Sequence, residues 1–250
     1  MTLRQETGTG GSRFSSHGLI KRFGALPVLE NIDFSMDMGE AVGIVGPNGA
    51  GKTTFLATLA GSYPPSAGTI SFAGRDVTRF SAADRCRMGL ARTHQVPKPF
   101  SGMTTFENVY VAAAHAGGKG RDEAYAGVID SLELCGMLHV ANRRAETLGL
   151  LDRKRLELAR AVATGPKVIL LDEIGGGLTD TEAQELVSTI QELRRRGIGI
   201  IWIEHIVHVL LQVVHRLICM DAGKIIADGD PKEVMAHPEV VKAYLGGGPK

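Results

Sequence analysis

Gly46-Pro47-Asn48-Gly49-Ala50-Gly51-Lys52-Thr53 is a G-x-x-x-x-G-K-T run, the spacing of a loop that cradles phosphates. Upstream, Ala41-Val42-Gly43-Ile44-Val45 is a short apolar stretch that predicts a buried strand. Downstream, Phe55, Leu56 and Leu59 recur at helical spacing. The run therefore sits between a strand end and a helix start, where free backbone N–H groups and the helix dipole favour an anion. Glycine lets the backbone wrap a polyphosphate with no Cβ in the way. In this arrangement Lys52 reaches the β- and γ-phosphates and the Thr53 hydroxyl meets Mg²⁺. A glycine-rich turn that merely caps a helix is the competing reading; the flanking strand and helix disfavour it.

Working outward, Val168-Ile169-Leu170-Leu171-Asp172-Glu173 is the second informative run. Its apolar part predicts a strand buried on both faces. The two carboxylates then emerge at the strand's carboxyl end, where open α/β sheets bind ligands. Phosphoryl transfer asks for positioning and charge neutralisation. Asp172 is expected to hold Mg²⁺, and Glu173 to orient and deprotonate the attacking water.

The rest of the chain supports an α/β fold. Two short apolar stretches in residues 19–38 and a strand pair over 68–77 suggest an antiparallel β portion beside the core. Residues 104–140 are expected to be helical, opened by a Thr104/Glu107 capping box, with Tyr125, Val128, Ile129, Leu132 and Leu134 as the apolar stripe of 120–138. Further helices are expected over 152–164, over 180–196 and from about 205 to 213. In the second of these, Ala183, Leu186, Val187, Ile190 and Leu193 fall on one face. Residues 198–203 form another apolar strand. Alternating strands and helices give a mostly parallel sheet with helices on its faces. Residues 1–13, with Gly8, Gly10, Gly11 and Ser12, are expected to be a disordered leader to one domain over 14–250.

Composition narrows the function classes. The 250 residues carry 28 Lys and Arg against 27 Asp and Glu, a balance that argues against a nucleic-acid binder. Cys86, Cys135 and Cys219 are scattered, odd in number and without metal-ligand spacing. The longest apolar run, Ile198 to Ile203 with Gly199 inside it, falls far short of the roughly 20 residues that a helix needs to span a bilayer.

Taken together, residues 17–247 resemble the ATP-binding subunit of an ABC transporter. Gly46–Thr53 corresponds to Walker A, Gln95 to the Q-loop glutamine, Leu170–Glu173 to Walker B with its glutamate, and His205 to the switch histidine. The stretch Ala91–Gln95, the pair Glu204-His205 and the tail Pro238–Gly246 are most similar to the branched-chain amino acid uptake branch. The resemblance implies a P-loop NTPase core with an antiparallel β subdomain and a helical lobe over about 96–163. It implies ATP held by Gly46, Pro47, Asn48, Gly49, Ala50, Gly51, Lys52, Thr53 and Thr54, with Phe23 stacked on adenine. It implies Mg²⁺ on Thr53, Gln95 and Asp172, and catalysis by Glu173, His205 and Gln95, the histidine meeting the γ-phosphate.

The signature motif departs from the family. Leu148-Gly149-Leu150-Leu151-Asp152 stands where Leu-Ser-Gly-Gly-Gln is usual, so the serine hydroxyl is absent and two leucines replace glycines. Its backbone amides can still face a nucleotide bound to a second ATPase subunit, with Asp152 as a candidate N-cap. Ile174 replaces a usual proline, and Thr179, in a capping box with Glu182, replaces an acidic or amide side chain. The implied partners are integral membrane permease subunits docked near residues 95–108, a second ATPase subunit and, indirectly, a solute-binding protein, at the cytoplasmic face of the membrane. Competing expectations are an ABC ATPase for amides, urea or envelope lipids, and a non-transport ABC ATPase.

Overall fold

The chain opens as an antiparallel hairpin, β1 (Arg13–Phe23) and β2 (Leu26–Asp37), turning through Gly24 and Ala25. The computed structural model describes residues 13–116 and 120–245. After the hairpin the chain enters a second sheet as β3 (Ala41–Val45) and leaves it through the glycine-rich loop into α1 (Lys52–Leu59). β4 (Ala67–Phe72) and β5 (Arg75–Asp76) return to the first sheet, whose strand order is β2-β1-β4-β5. Then α2 (Ala82–Arg87) leads to β6 (Leu90–Arg92), followed by α3 (Thr105–Ala116), α4 (Arg121–Leu134) and α5 (Leu150–Ala163). The remainder is β7 (Val168–Asp172), α6 (Asp180–Arg195), β8 (Gly199–Ile203), α7 (Val207–Leu210), β9 (Arg216–Asp221), β10 (Lys224–Gly229), α8 (Pro231–Ala236) and α9 (Pro238–Leu245).

The second sheet has six strands in the order β10-β9-β3-β8-β7-β6. All neighbours pair in parallel except the edge pair β9–β10. Strands β7 and β8 are buried at every position, as a continuous apolar run demands when both faces are covered. Side-chain alternation then sorts their residues into two cores. Ile169, Leu171, Ile200 and Trp202 join Val109, Val128, Leu156 and Leu186 on the helical side. Val168, Leu170, Ile201 and Ile203 join Phe14, Leu19, Phe34 and Phe55 on the side of the antiparallel sheet. Each such aliphatic side chain contributes about 1.5–3 kcal/mol on burial, so the sheet is fixed from both faces.

The clearest expected helix is observed as expected: α6 buries Ala183, Leu186, Val187, Ile190 and Leu193 behind a complete Thr179–Glu182 capping box. The Thr104–Glu107 box is also formed, each residue's amide bonding the other's side chain. Three expectations need correction. The helix expected from 205 to 213 contains only Val207–Leu210. The β-branched residues Ile206, Val207, Val209 and Val213 weaken helix propensity. The buried face of α4 is Ala124, Val128, Ser131 and Leu132, while Tyr125 and Ile129 are 43% and 45% exposed. Tyr125 packs instead against Phe106 and Tyr110 of α3. Finally, α5 begins at Leu150 with Gly149 as N-cap, so Asp152 lies inside the first turn, where its charge suits the dipole but caps nothing. The expected leader over residues 1–13 falls outside the described residues except for Arg13, the first residue of β1.

Candidate active site

Four adjacent parallel strands, in the order β3-β8-β7-β6, deliver their carboxyl ends to one edge of the sheet. β3 ends in the glycine-rich loop, β8 in Glu204-His205, β7 in Asp172-Glu173, and β6 in the segment that reaches Gln95. Sheet order therefore gathers groups that the sequence scatters over about 160 residues (46 to 205).

The loop's shape depends on Gly46. Its φ is 144°, and a Cβ there would lie 2.0 Å from the Met220 carbonyl oxygen. The Gly46 amide donates to the hydroxyl of Tyr244 on α9 at 2.9 Å, so the C-terminal helix supports the loop from behind. Lys52 is 5% exposed and folds back over the loop, donating to the carbonyls of Gly46 at 2.7 Å and Pro47 at 3.0 Å. Burial lowers its pKa, opposed by the nearby negative charges of Glu173 and Asp172. A cleft of about 260 Å³ opens over the loop, lined by Asn48 to Thr54, Val28 and Glu173. Larger clefts lie elsewhere; that of about 520 Å³ is walled by Arg13, Asp37, Glu40, Arg216 and Asp228, already paired with one another.

Asp172 is 1% exposed. Its Oδ1 accepts from Thr53 Oγ1 at 3.2 Å and its Oδ2 from Arg92 Nη2 at 2.8 Å. Glu173 has φ 48°, left-handed for a residue with a side chain. Its Oε2 accepts from Gln95 Nε2 at 2.6 Å, and its Oε1 lies 2.8 Å from His205 Nε2. Expected site residues from three strand ends thus meet at one carboxylate. Behind them, Glu204 is 2% exposed and its carboxylate accepts from the Gly175 amide at 2.5 Å and the His205 amide at 3.2 Å. Burial pushes its pKa up, against the pull of those two amides and of Lys154. The Trp202 indole also favours the charged form, yet its buried Nε1 lacks hydrogen-bond geometry to any partner.

Two expected groups lie apart from the cleft. Phe23 is 44% exposed, meets Tyr63 edge-on at 5.2 Å and carries Lys21 Nζ 4.8 Å from its ring centre; Val28, not Phe23, lines the cleft. Leu148 is buried, Leu150 is exposed, and Gly149, Leu151 and Asp152 line no part of the cleft of their own chain. Asp152 instead faces Arg155 at 3.8 Å. Sequence reasoning assigned no role to Arg92, Glu204, Lys154 or Tyr244. The available signal was Glu204 itself, a carboxylate set directly after a fully apolar strand, where only a compensated charge survives.

This is the layout of an ATP-binding cassette, and the comparisons agree. The family model of the ABC transporter matches residues 29–175, and the chain belongs to that family as an ATP-hydrolysing member that binds adenine nucleotides. A second model, the branched-chain amino acid ATP-binding cassette transporter, matches residues 224–249. The high-affinity branched-chain amino acid transport ATP-binding protein LivG of Salmonella typhimurium is 36% identical, covering 92% of this chain and 96% of its own. BraF of Pseudomonas aeruginosa, of the same description, is 32% identical over 92% of this chain and 96% of its own. Among solved structures, a nucleotide-free ATP-binding cassette from an ABC transporter superposes with TM-score 0.85 at 28% identity, covering 93% of this chain and 98% of its own. The ADP conformation of the cassette MJ1267 gives TM-score 0.84 at 28% identity, covering 94% and 99%. Among the described residues no helix is long and apolar enough to cross a membrane.

Proposed function

We propose that this chain powers the import of branched-chain amino acids through a membrane permease, with Glu173 as the base that activates water. The observation that carries the reading is the convergence of Gln95 and His205 on Glu173 beside the Lys52 loop. ATP binds with its phosphates against the amides of residues 48–54 and with the Lys52 ammonium moving from the Gly46 and Pro47 carbonyls to the β- and γ-phosphates. That exchange replaces two bonds from the ammonium to neutral carbonyls by bonds in which both partners are charged.

Thr53 Oγ1 and Asp172 Oδ1, side by side, are the hard oxygen donors that Mg²⁺ takes together with phosphate and water. A magnesium ion held there would neutralise charge on the transferring phosphoryl group. Gln95, whose amide nitrogen holds Glu173, would offer its carbonyl oxygen to the same ion or to the attacking water. Glu173 takes the proton of that water, and His205 holds both the Glu173 carboxylate and the γ-phosphate.

Phe23 contributes a ring face to adenine once Lys21 swings aside. Leu148–Asp152 presents the Gly149–Leu151 amides at the start of α5 to the nucleotide of a second ATPase subunit, without the hydroxyl that the usual serine would add. The reading places one cassette over residues 14–250, with its helical lobe over about 96–163 facing the permease near residues 95–108. The chain then sits peripherally on the cytoplasmic face of the membrane, with a solute-binding protein supplying cargo on the other side. Branched-chain cargo is favoured by the LivG and BraF likeness and by the match over 224–249.

The test is reconstitution with its neighbouring permease subunits in vesicles. ATP-dependent uptake of leucine, isoleucine or valine is expected, and it should vanish with Lys52→Ala. Uptake of amides or urea in place of those amino acids would reassign the cargo.

A further inference from the structure

Glu204 is a charged group where the fold tolerates few. It follows a strand buried on both faces, is 2% exposed, and does not line the cleft over the loop. Burying a carboxylate costs several kcal/mol unless donors replace water. The donors are two backbone amides from different elements. Oε1 accepts from Gly175, in the turn after β7, at 2.5 Å, and Oε2 accepts from His205, after β8, at 3.2 Å.

We propose that Glu204 is a positioning residue that fixes, through these two amides, the backbone on which Glu173 and His205 stand. The inference rests on the roles given to Glu173 and His205 above.

The backbone of Glu173 needs such a constraint. At φ 48° it sits in a conformation that costs a side-chain-bearing residue about 1–2 kcal/mol. Strain of this kind persists only where the surroundings over-determine it. On its amino side, the Glu173 amide is held by the Ile203 carbonyl at 2.9 Å. On its carboxyl side, the Gly175 amide is held by Glu204. The two anchors come from neighbouring residues of one segment, so β8 grips the Glu173 turn at both ends. The same carboxylate fixes the His205 amide, and His205 Nε2 lies 2.8 Å from Glu173 Oε1. One side chain therefore sets the relative placement of both functional groups.

Two further observations fit. A Cβ on Gly175 would lie 2.8 Å from Glu204 Oε1, so any side chain there must push this carboxylate aside. Its own φ is not left-handed, so the constraint at this glycine is the close approach of the carboxylate rather than backbone strain. Lys154, 5% exposed on α5, adds positive charge near both Glu204 and Glu173.

The test compares full-length wild-type protein with Glu204→Gln, Gly175→Ala and Glu173→Gln. Glutamine offers one oxygen acceptor and one NH2 donor, so one of the two amides faces a donor. Steady-state ATP hydrolysis and binding of a fluorescent ATP analogue are measured on each. Misplacement of reacting groups by a fraction of an ångström to 1 Å lowers turnover steeply. Glu204→Gln is therefore expected to reduce kcat about 10- to 100-fold, with KM and analogue affinity within about twofold of wild type. Gly175→Ala displaces the same carboxylate from the opposite side and should reproduce that split even if Glu204→Gln does not fold. Wild-type kcat in either variant, or a loss of analogue affinity matching the loss of kcat, overturns the proposal. Glu173→Gln separates the two levels: if it turns over ATP normally, the base assignment has failed, whereas an inactive Glu173→Gln beside a normal Glu204→Gln sinks the clamp alone.

Discussion

Arg92 and Asp172 form an ion pair of 2.8 Å with the carboxylate 1% exposed and the guanidinium side chain 13% exposed. The arginine stands on β6 and the aspartate on β7, so the parallel ladder between these strands sets the pair. Arg92 is the cation that pairs directly with Asp172, while Lys52 adds positive charge nearby.

Removing Arg92 leaves a buried carboxylate unpaired. Arg92→Leu is expected to lower unfolding free energy by about 3–5 kcal/mol in urea titrations without nucleotide. Adding Mg²⁺ and ATP should recover part of the loss, because the incoming cation stabilises the same carboxylate. A variant as stable as wild type without ligand would show that Arg92 is not the compensating charge.

Glu173→Gln keeps shape and removes the base. General-base catalysis is worth about 10²–10⁴-fold, so hydrolysis should fall by at least ~100-fold while nucleotide affinity holds. Phosphate-release assays and equilibrium binding check the two halves separately.

Gly46→Ala places a methyl where the Met220 carbonyl already stands, 2.0 Å from the ideal Cβ. The loop must shift, and its amide contact with Tyr244 goes with it. Loss of nucleotide binding and destabilisation of about 1–3 kcal/mol are expected. Calorimetric titration with ADP reads the first, and thermal unfolding the second.

Glu204 makes stability depend on pH with a definite sign. Its folded pKa is raised above the unfolded value, with burial as the main cause. Between those two values the folded state binds more protons than the unfolded state, so unfolding free energy falls as pH rises. The contribution is complete below the ordinary glutamate range and is lost on passing upward through the raised value. Glu204→Gln cannot titrate. The stability difference, wild type minus variant, should therefore decline with rising pH across that window, and a flat difference would mean that Glu204 titrates normally.

Much of this site is legible in the sequence because its parts are local. The glycine loop, the apolar run ending in Asp172-Glu173 and the amphipathic α6 each announce themselves through spacing within a dozen or so residues. What spacing cannot encode is sheet order. Nothing local says that β8 lies between β3 and β7, and that placement brings His205 to Glu173. For the same reason the roles of Arg92 and Tyr244 leave no local trace: Arg92 acts across 80 positions and Tyr244 across 198, whereas Glu204 shows only as a carboxylate after an apolar strand, its distant partner Gly175 hidden. The errors in α4 and α7 have a different origin. In α4 the apolar residues wrap more than one face, and Tyr125 found an aromatic neighbour outside the core. In α7 a run of β-branched residues holds the helix to a single turn.

Trp202 is the chain's single tryptophan, 0% exposed in the strand that ends at Glu204 and His205. Its emission comes from one dry environment, with no second indole to blur the spectrum. The molecule thus carries its own optical reporter, three positions from His205 in the chain, and rearrangement at this strand end can be followed through it on unlabelled material in a stopped-flow cell.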